Sequence, residues 1–303
     1  MGGSATGGLF VIHNPAAGPT EAERLQRRVE TALAQRQVPY EYARTEAPGH
    51  ARQLAMAALA SGYCRVLVAG GDGTVLEAVS ALVDRDPALA LLPVGTGNQL
   101  AANLGVPSSV GAALDVALAG NVRQIDVGMM DGQPFTTIAG AGFDAEVVRP
   151  RSEIKKRFGY LAYIHAATAA AFAPRPSTLR ITVDGEQHVI DGIGVEVANM
   201  PGLTAPMLRR PVDLVPDGRP DDGLLDVCVL AVTTTRDFLS AMWSIIARRF
   251  GRNPRLRYFR GREVLVEADP PLPVQIDGER LERTTPFAAS IRPRALKVLV
   301  PID

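Results

Sequence analysis

Val66-Leu67-Val68-Ala69-Gly70-Gly71-Asp72-Gly73-Thr74-Val75-Leu76-Glu77 is a short apolar run that breaks into a glycine-rich turn and then into a helical pattern. It reads as a strand, a phosphate-sized loop and a helix start. Gly70, Gly71 and Gly73 allow positive φ and let the backbone approach a ligand closely, and Thr74 is placed to cap the helix. Free N–H groups at a helix start, together with the helix dipole, favour an anion. A tight strand-to-helix turn without a ligand is the plainer alternative, but such a turn seldom needs three glycines and an aspartate.

Upstream, Leu9 to Ile12 is a buried-strand candidate that empties into His13-Asn14-Pro15-Ala16-Ala17-Gly18. Ala22, Leu25, Val29 and Leu33 then recur with helical spacing until Val38-Pro39 ends the pattern. Tyr40 to Thr45 reads as a strand, and the segment after Pro48-Gly49 as a helix with Leu54, Ala58 and Leu59 inward. Downstream, Ala88 to Leu92 is the next strand, Pro93-Val94-Gly95-Thr96-Gly97-Asn98 a second glycine turn, and Gln99 opens a short helix halted at Gly105-Val106-Pro107. Strands alternating with helices over roughly 120 residues predict a mainly parallel, doubly wound sheet with ligands at the carboxyl ends of its strands. The glycine turns fall at such ends.

After about Arg123 the pattern changes to short alternating runs such as Thr178 to Val183, Ile193 to Val197, Leu225 to Leu230, Val264 to Val266 and Leu296 to Val300, separated by Asp-Gly and Pro turns. Helical segments interrupt them at roughly 154–172 and 236–250. The expected fold is therefore α/β plus β. A doubly wound α/β domain spans 1–125, a β-sandwich-like domain with inserted helices spans 126–303, and the last residues, about 290–303, can pack back on the first domain.

The 303 residues suffice for two domains, and 32 basic against 32 acidic residues leave no overall charge to suggest nucleic acid as a partner. Cys64 and Cys228 form neither a disulfide framework nor a metal cluster, as expected in a reducing cytosol. Residues 1–8 read as a flexible lead-in and lack the features of a secretory signal. The weakly polar run from Leu161 to Ala173 is interrupted by His165 and ended by Pro174, which argues against a membrane span.

The Gly-Gly-Asp-Gly-Thr loop resembles the nucleotide loop of the diacylglycerol kinase catalytic family, which includes bacterial lipid kinases and sphingosine kinases, and it also occurs in NAD kinases. Pro93 to Asn98 with Gln99 to Gly105 looks like the lipid kinases' second glycine turn and helix, and no counterpart of the NAD kinases' nicotinamide-side motifs is found. Asn14-Pro15 with Gly18, Ala139-Gly140-Ala141-Gly142-Phe143-Asp144-Ala145, Asp221-Asp222-Gly223-Leu224-Leu225-Asp226 and Ile276-Asp277-Gly278-Glu279 extend the resemblance, in order, over nearly the whole chain.

The resemblance implies an ATP- and magnesium-dependent lipid kinase of phospholipid biosynthesis, with nucleotide in a cleft between the domains. The implied acceptor is first diacylglycerol, giving phosphatidic acid, and behind it a sphingoid base, ceramide or monoacylglycerol. The family's nucleotide contacts map onto Asn14 and the turn to Gly18, Thr45, the loop Gly70, Gly71, Asp72, Gly73 and Thr74 with Glu77, and the turn Gly95, Thr96, Gly97 and Asn98. Loop N–H groups and threonine hydroxyls suit phosphate oxygens, with magnesium neutralising the remaining charge. The first 150 residues contain no lysine, so neither a P-loop lysine nor the catalytic lysine of protein kinases can be present there.

Two carboxylates are the catalytic candidates. Asp72 can bind magnesium directly or through water, position the acceptor hydroxyl, or merely cap its turn. The resemblance puts the family's proposed proton acceptor at Glu279, although Asp277-Gly278 would also make a hairpin turn with Glu279 exposed beyond it. Asp184-Gly185-Glu186 repeats the tripeptide, and there the hairpin is the favoured reading. The acidic stretch Pro216 to Leu224 suits a hard cation, and the resemblance assigns a structural magnesium to the Asp222 side chain with the carbonyls of Arg219 and Leu224.

His13, His50, His165 and His188 are scattered without zinc spacing, and no nucleophile elbow or Cys/His pair supports covalent catalysis. Eight arginines against the single acid Asp237 between 236 and 262, with Leu239, Met242 and Trp243 among them, suit an anionic bilayer, and Lys155-Lys156-Arg157 can add to the same face. A helix packed on the sheet with a solvated arginine edge is the equal alternative. The expected partner is a lipid at a membrane surface and not nucleic acid, a homodimer is compatible with the sequence, and the expected location is cytoplasmic or peripheral at the inner face of the membrane. Where many relatives have a glycine cluster, this chain reads Met200-Pro201-Gly202-Leu203-Thr204-Ala205-Pro206-Met207-Leu208, so the acceptor pocket can differ. Two other functions remain: an NAD kinase-like kinase of a soluble nucleotide or cofactor, and a catalytically silent nucleotide-binding regulator.

Overall fold

A computed structural model describes residues 8–15, 19–143, 174–203, 212–247, 249 and 253–302. Gly18, Asp144, Lys155-Lys156-Arg157, the helix expected over 154–172 and the part of the Met200–Leu208 stretch from Thr204 on lie outside them. The chain forms two compact units. Of the described residues, the first holds those up to Val127 and from Pro293 on, and the second holds Gly128–Leu203 and Val212–Arg292.

The first unit alternates β1 (Leu9–His13), α1 (Pro19–Gln35), β2 (Tyr40–Arg44), α2 (His50–Ala60), β3 (Arg65–Gly70), α3 (Asp72–Leu82), β4 (Ala88–Pro93), α4 (Gln99–Asn103) and α5 (Val110–Ala119). The strands lie parallel in the order β2-β1-β3-β4, with Val11 opposite both Tyr42 and Leu67 and Leu67 opposite Ala90. Continuous apolar runs in β1, β3 and β4 follow from burial on both faces. Leu9, Val11, Leu67 and Leu92 share one core with Val29 and Leu33 of α1 and Leu114 of α5. Phe10, Ile12, Val66 and Val68 point to the opposite face, as strand alternation requires. Helix α2 buries Ala58 as expected, but Leu54 and Leu59 are only partly covered, and Ala51 and Ala55 complete an inner face of small residues.

Between the units the chain runs through β5 (Asn121–Met130), a long strand that the sequence pattern did not announce. The second unit is antiparallel and β-sandwich-like. After β6 (Gln133–Phe135) come β7 (Ile138–Gly142), β8 (Ser177–Val183), β9 (Glu186–Gly192), β10 (Gly194–Ala198), β11 (Gly202–Leu203), β12 (Val212–Asp213) and β13 (Leu225–Leu230). Then follow α6 (Thr235–Ile246), β14 (Leu256–Gly261), β15 (Glu263–Asp269), β16 (Pro273–Ile276), β17 (Glu279–Thr284) and β18 (Phe287–Val300). One sheet has the order β14-β13-β10-β7-β16-β17, and in another β9, β8, β15 and the first part of β18 are neighbours. The end of β18 lies parallel to β4 in the first unit's sheet, with Val298 opposite Leu89.

Helix α6 covers the first of these sheets, burying Phe238, Ala241 and Ile245 against Ile138, Leu230 and Leu256. The middle of this sheet is tied by one side chain. The buried Asp277 carboxylate accepts five hydrogen bonds, from the N–H and hydroxyl of Thr136, both at 2.8 Å, those of Thr137 at 2.8 and 2.6 Å, and the N–H of Ile138 at 2.9 Å. Asn199 holds the same segment from its other side, its Nδ2 donating to the Thr136 carbonyl at 2.9 Å.

Removing the Asp277 carboxylate leaves several buried donors unpaired, each costing about 1–3 kcal/mol. Asp277→Ala is therefore expected to lower the urea midpoint of the second unit by the equivalent of more than about 3 kcal/mol. Asp184→Ala, at the exposed twin of this turn, is expected to cost about 1 kcal/mol. Equal midpoint shifts for the two variants would contradict this ranking.

Candidate functional site

The two glycine turns expected from the sequence lie at the carboxyl ends of adjacent parallel strands, β3 and β4. Their glycines are not there for positive φ. Neither Gly70, Gly71 nor Gly73 has positive φ. Space decides instead: a Cβ on Gly70 would stand 2.7 Å from Cβ of Thr74, and one on Gly95 would stand 2.4 Å from Cα of Gly71. The turns meet backbone to backbone, and at Gly95 no side chain fits between them, whereas a Cβ on Gly71 would make an ordinary 3.4 Å contact.

Helix α3 begins earlier than the sequence reading placed it. Gly71, extended at φ −91° and ψ −175°, is the N-cap, so Thr74 lies inside the first turn and caps nothing. The first bond of the helix runs from Val75 N–H to the Gly71 carbonyl at 3.0 Å, and the N–H groups before it have no helical carbonyl to donate to. Thr74 is buried, and its hydroxyl accepts from Asn14 Nδ2 at 2.7 Å, which leaves the hydroxyl hydrogen to be donated. Asn14, at the end of β1, is thereby coupled to the turn after β3.

Asp72 joins the two turns. Its Oδ1 accepts from the N–H of Gln99 at 2.6 Å, so it caps α4 from another segment of chain. Its Oδ2 lies where a Cβ on Gly97 would come within 2.5 Å. The second turn is closed internally by Asn98, in the left-handed region at φ 51°: its Oδ1 accepts from Gly95 N–H at 2.9 Å and its Nδ2 donates to the Gly95 carbonyl at 2.8 Å. Thr96 stands exposed at the tip.

Glu77 has a different position from its neighbours in the loop. Both carboxylate oxygens accept from the start of α2, Oε1 from Gly49 N–H at 2.7 Å and Oε2 from Ala51 N–H at 3.0 Å. Thr45 follows β2, is buried, and donates its N–H to the His13 carbonyl at 2.9 Å. Asn14, Thr45, Gly70 to Glu77 and Gly95 to Asn98 thus belong to one unit at the ends of successive strands, and Gly18 is outside the described residues.

Glu279 and the acidic turn belong to the second unit. Asp277 and Gly278 have φ of 46° and 83°, a hairpin turn of the mirror-image type, and Glu279 is exposed at the first position of β17. The anchored carboxylate of that motif is Asp277, which sequence reasoning treated only as part of a turn. Asp222 accepts from Leu224 N–H at 3.1 Å, and its Oδ2 meets Arg260 Nη2 at 2.5 Å. The same guanidinium reaches Asp226 through Nε at 2.7 Å. Burial pushes Asp226 up to about 6 against the pull of Arg260. A cation therefore already sits on Asp222, and among the described residues no group of three ligating side chains surrounds it.

His13, one of the four histidines without zinc spacing, has a packing role. Its imidazole is buried one residue before Asn14, with Nδ1 and the Tyr42 hydroxyl hydrogen-bonded at 2.7 Å. Burial, assisted by the positive charge of Arg44, holds its pKa below the usual histidine value, and burial raises that of Tyr42. The signal for it was slight: an ionisable residue closing an otherwise apolar strand.

Two family models match the chain: the diacylglycerol kinase catalytic domain over residues 8–130 and the YegS C-terminal NAD kinase beta sandwich-like domain over residues 137–300. A protein of Pseudomonas aeruginosa named probable lipid kinase YegS-like is 33% identical over 300 residues, covering 97% of this chain and 94% of that one. A diacylglycerol kinase of Bacillus subtilis is 29% identical over 278 residues, covering 89% and 88%. An uncharacterized protein of Synechocystis is 28% identical over 247 residues, which take 78% of this chain but 55% of that protein. The fold is shared with the crystal structure of a diacylglycerol kinase from Bacillus anthracis, at a TM-score of 0.73 and 21% identity over 97% of each chain.

The neutral imidazole at His13 has a consequence for stability. Its folded pKa lies below the unfolded value of 6.5, so the unfolded chain binds the extra proton. Its contribution is present above pH of about 6.5 and is lost as the pH falls through the folded value. The unfolding free energy is expected to rise with pH approaching 6.5 from below, and His13→Asn to flatten that rise in urea titrations. An unchanged slope in the variant would refute the assignment.

Proposed function

Because the chain belongs to the diacylglycerol kinase catalytic-domain family of lipid kinases, we propose that it transfers the γ-phosphate of ATP to the hydroxyl of a membrane-derived lipid, with diacylglycerol the first choice and phosphatidic acid the product. A sphingoid base, ceramide or monoacylglycerol are the next acceptors. The observation that carries this reading is the backbone contact of the turns at Gly71 and Gly95, with Asp72 between them.

Such a cradle suits a polyphosphate. The first-turn N–H groups of α3 supply donors and positive dipole, the Thr74 hydroxyl keeps a hydrogen to donate, and Thr96 offers a second hydroxyl at the facing tip. Side chains at Gly70, Gly95 or Gly97 would collide with Thr74, Gly71 and Asp72 and push the two turns apart. Magnesium entering with the triphosphate supplies charge neutralisation, in a region whose sequence up to residue 150 has no lysine. Asp72 is the residue to which we give the role of charge next to the transferred group. Its Oδ1 is engaged by Gln99, and its Oδ2 faces Gly97. Glu279 is the second carboxylate proposed as proton acceptor, and its exposure leaves it accessible to an acceptor hydroxyl.

The second reading, a kinase of a soluble cofactor, draws on the β-sandwich model named for NAD kinase. Incubation of the protein with labelled ATP, magnesium and extracted lipids, followed by identification of the labelled product, separates the two. Phosphate on a lipid supports the proposal, and phosphate only on NAD would replace it.

Two variants test the assigned roles. Asp72→Asn keeps an oxygen for Gln99 N–H and removes the charge, so the transfer rate is expected to fall roughly 100-fold or more with magnesium-ATP binding retained by calorimetry. A fully active Asp72→Asn would reduce the residue to a structural cap. Gly97→Ala is expected to weaken magnesium-ATP binding, and undiminished heats would exclude the second turn from the site.

A further inference from the structure

Helix α6 has two apolar faces where a covering helix needs one. Phe238, Ala241 and Ile245 are 6%, 0% and 8% exposed in the core under the helix, and the Phe238 ring lies 5.0 Å from that of Phe143. On the outer side, Leu239 and Trp243 are 61% and 63% exposed. They are four residues apart, hence adjacent on one ridge of the helix, and Arg236 stands on the same ridge one turn earlier. Single exposed apolar side chains are ordinary, but a neighbouring leucine and tryptophan with an arginine in line form a stripe that water alone does not favour.

The helix is firmly held. Thr234 caps it by accepting from Asp237 N–H at 3.2 Å, Asp237 pairs with Arg255 Nε at 2.8 Å, and Asn253 Nδ2 donates to Ser240 at 3.0 Å and to Ser244 at 2.9 Å. The stripe is therefore presented on a rigid element. Between 235 and 255 the chain carries arginines at 236, 248, 249, 252 and 255 against the one acid Asp237. With Asp237 and Arg255 paired, four arginines remain without an acid in that segment, Arg236 and Arg249 being described and exposed.

We propose that the outer ridge of α6 docks on an anionic bilayer surface, with Trp243 and Leu239 entering the headgroup region and Arg236 and Arg249 meeting lipid phosphates. Indole and guanidinium groups together match that interface, and each basic residue adds attraction to anionic lipid. A second copy of the chain fits less well, because it would bring the same excess of arginine to the contact. Two large side chains also cover far less than the roughly 800 Å² per partner of a standard protein interface. The inference rests on the lipid-kinase reading only in giving the surface a purpose.

Trp243 is the only tryptophan of the chain, so its fluorescence reports on the surface directly. The full chain without ATP is mixed with vesicles of phosphatidylglycerol and phosphatidylcholine, or of phosphatidylcholine alone. A blue shift, and quenching by lipids brominated in their acyl chains, are expected with the anionic vesicles. Leu239→Ser/Trp243→Ser and Arg236→Glu/Arg249→Glu are each expected to weaken vesicle cosedimentation roughly tenfold or more, with unchanged unfolding midpoints and unchanged activity on a short-chain acceptor dispersed as monomers. Emission that stays that of exposed indole while the protein sediments with vesicles would overturn the proposal, as would failure to bind anionic vesicles or lipid-independent self-association through this ridge. Vesicle binding without turnover of any lipid would remove the kinase reading and leave the surface. Turnover of dispersed acceptor with a silent Trp243 would do the reverse.

Discussion

The first unit depends on the approach of two backbones. Gly71 and Gly95 lie so close that a methyl group on the second would stand 2.4 Å from the Cα of the first, and Asp72 fixes the arrangement through the Gln99 N–H. Adjacent parallel strands bring their carboxyl ends side by side, but loops with side chains would be held apart there. Glycine removes that obstacle, and the loss of chain entropy on ordering it is offset by the buried runs of β1, β3 and β4 on either side. Asn14 and Thr74 extend the coupling to β1, so three strand ends are joined by hydrogen bonds.

The second unit uses the same tripeptide twice with different results. Asp184-Gly185 and Asp277-Gly278 have nearly the same backbone, with φ of 47° and 88° in one and 46° and 83° in the other. Asp184 accepts only from the N–H groups of Arg262 and Glu263, both at 2.8 Å, near the surface. Asp277 is buried and collects five donors. An Asp-Gly pair dictates the turn, because both residues tolerate positive φ. How deep the turn lies, and hence what its carboxylate holds, comes from the strand it follows.

Arginine takes much of the charge pairing that lysine or a metal could have taken. Arg260 bridges Asp222 and Asp226, and Arg255 neutralises Asp237 at the start of α6. A planar guanidinium can satisfy two carboxylates at once, which a point charge does less well. Two carboxylates at the acidic turn, Asp222 and Asp226, thus share one guanidinium from β14.

By itself the sequence determined the strand-helix alternation, both glycine turns, the change to antiparallel strands and both Asp-Gly hairpins, because each rests on local propensity and periodicity of side chains near in sequence. It placed Asn14, Thr45, Asp72 and Thr74 at strand ends for the same reason. It misjudged the φ of the loop glycines, where α3 begins and how deeply Leu54 and Leu59 of α2 are buried, since these follow from groups brought close only by folding: Thr74 beneath Gly70, Gly95 against Gly71, and the loop at Gly49 and Ala51 over Glu77. The five donors on Asp277, the Tyr42 hydroxyl on His13 and Arg260 on Asp222 likewise join residues between 29 and 141 positions apart. Such pairings are absent from any local pattern, because their energy comes from desolvation and geometry that exist only once the sheets have formed.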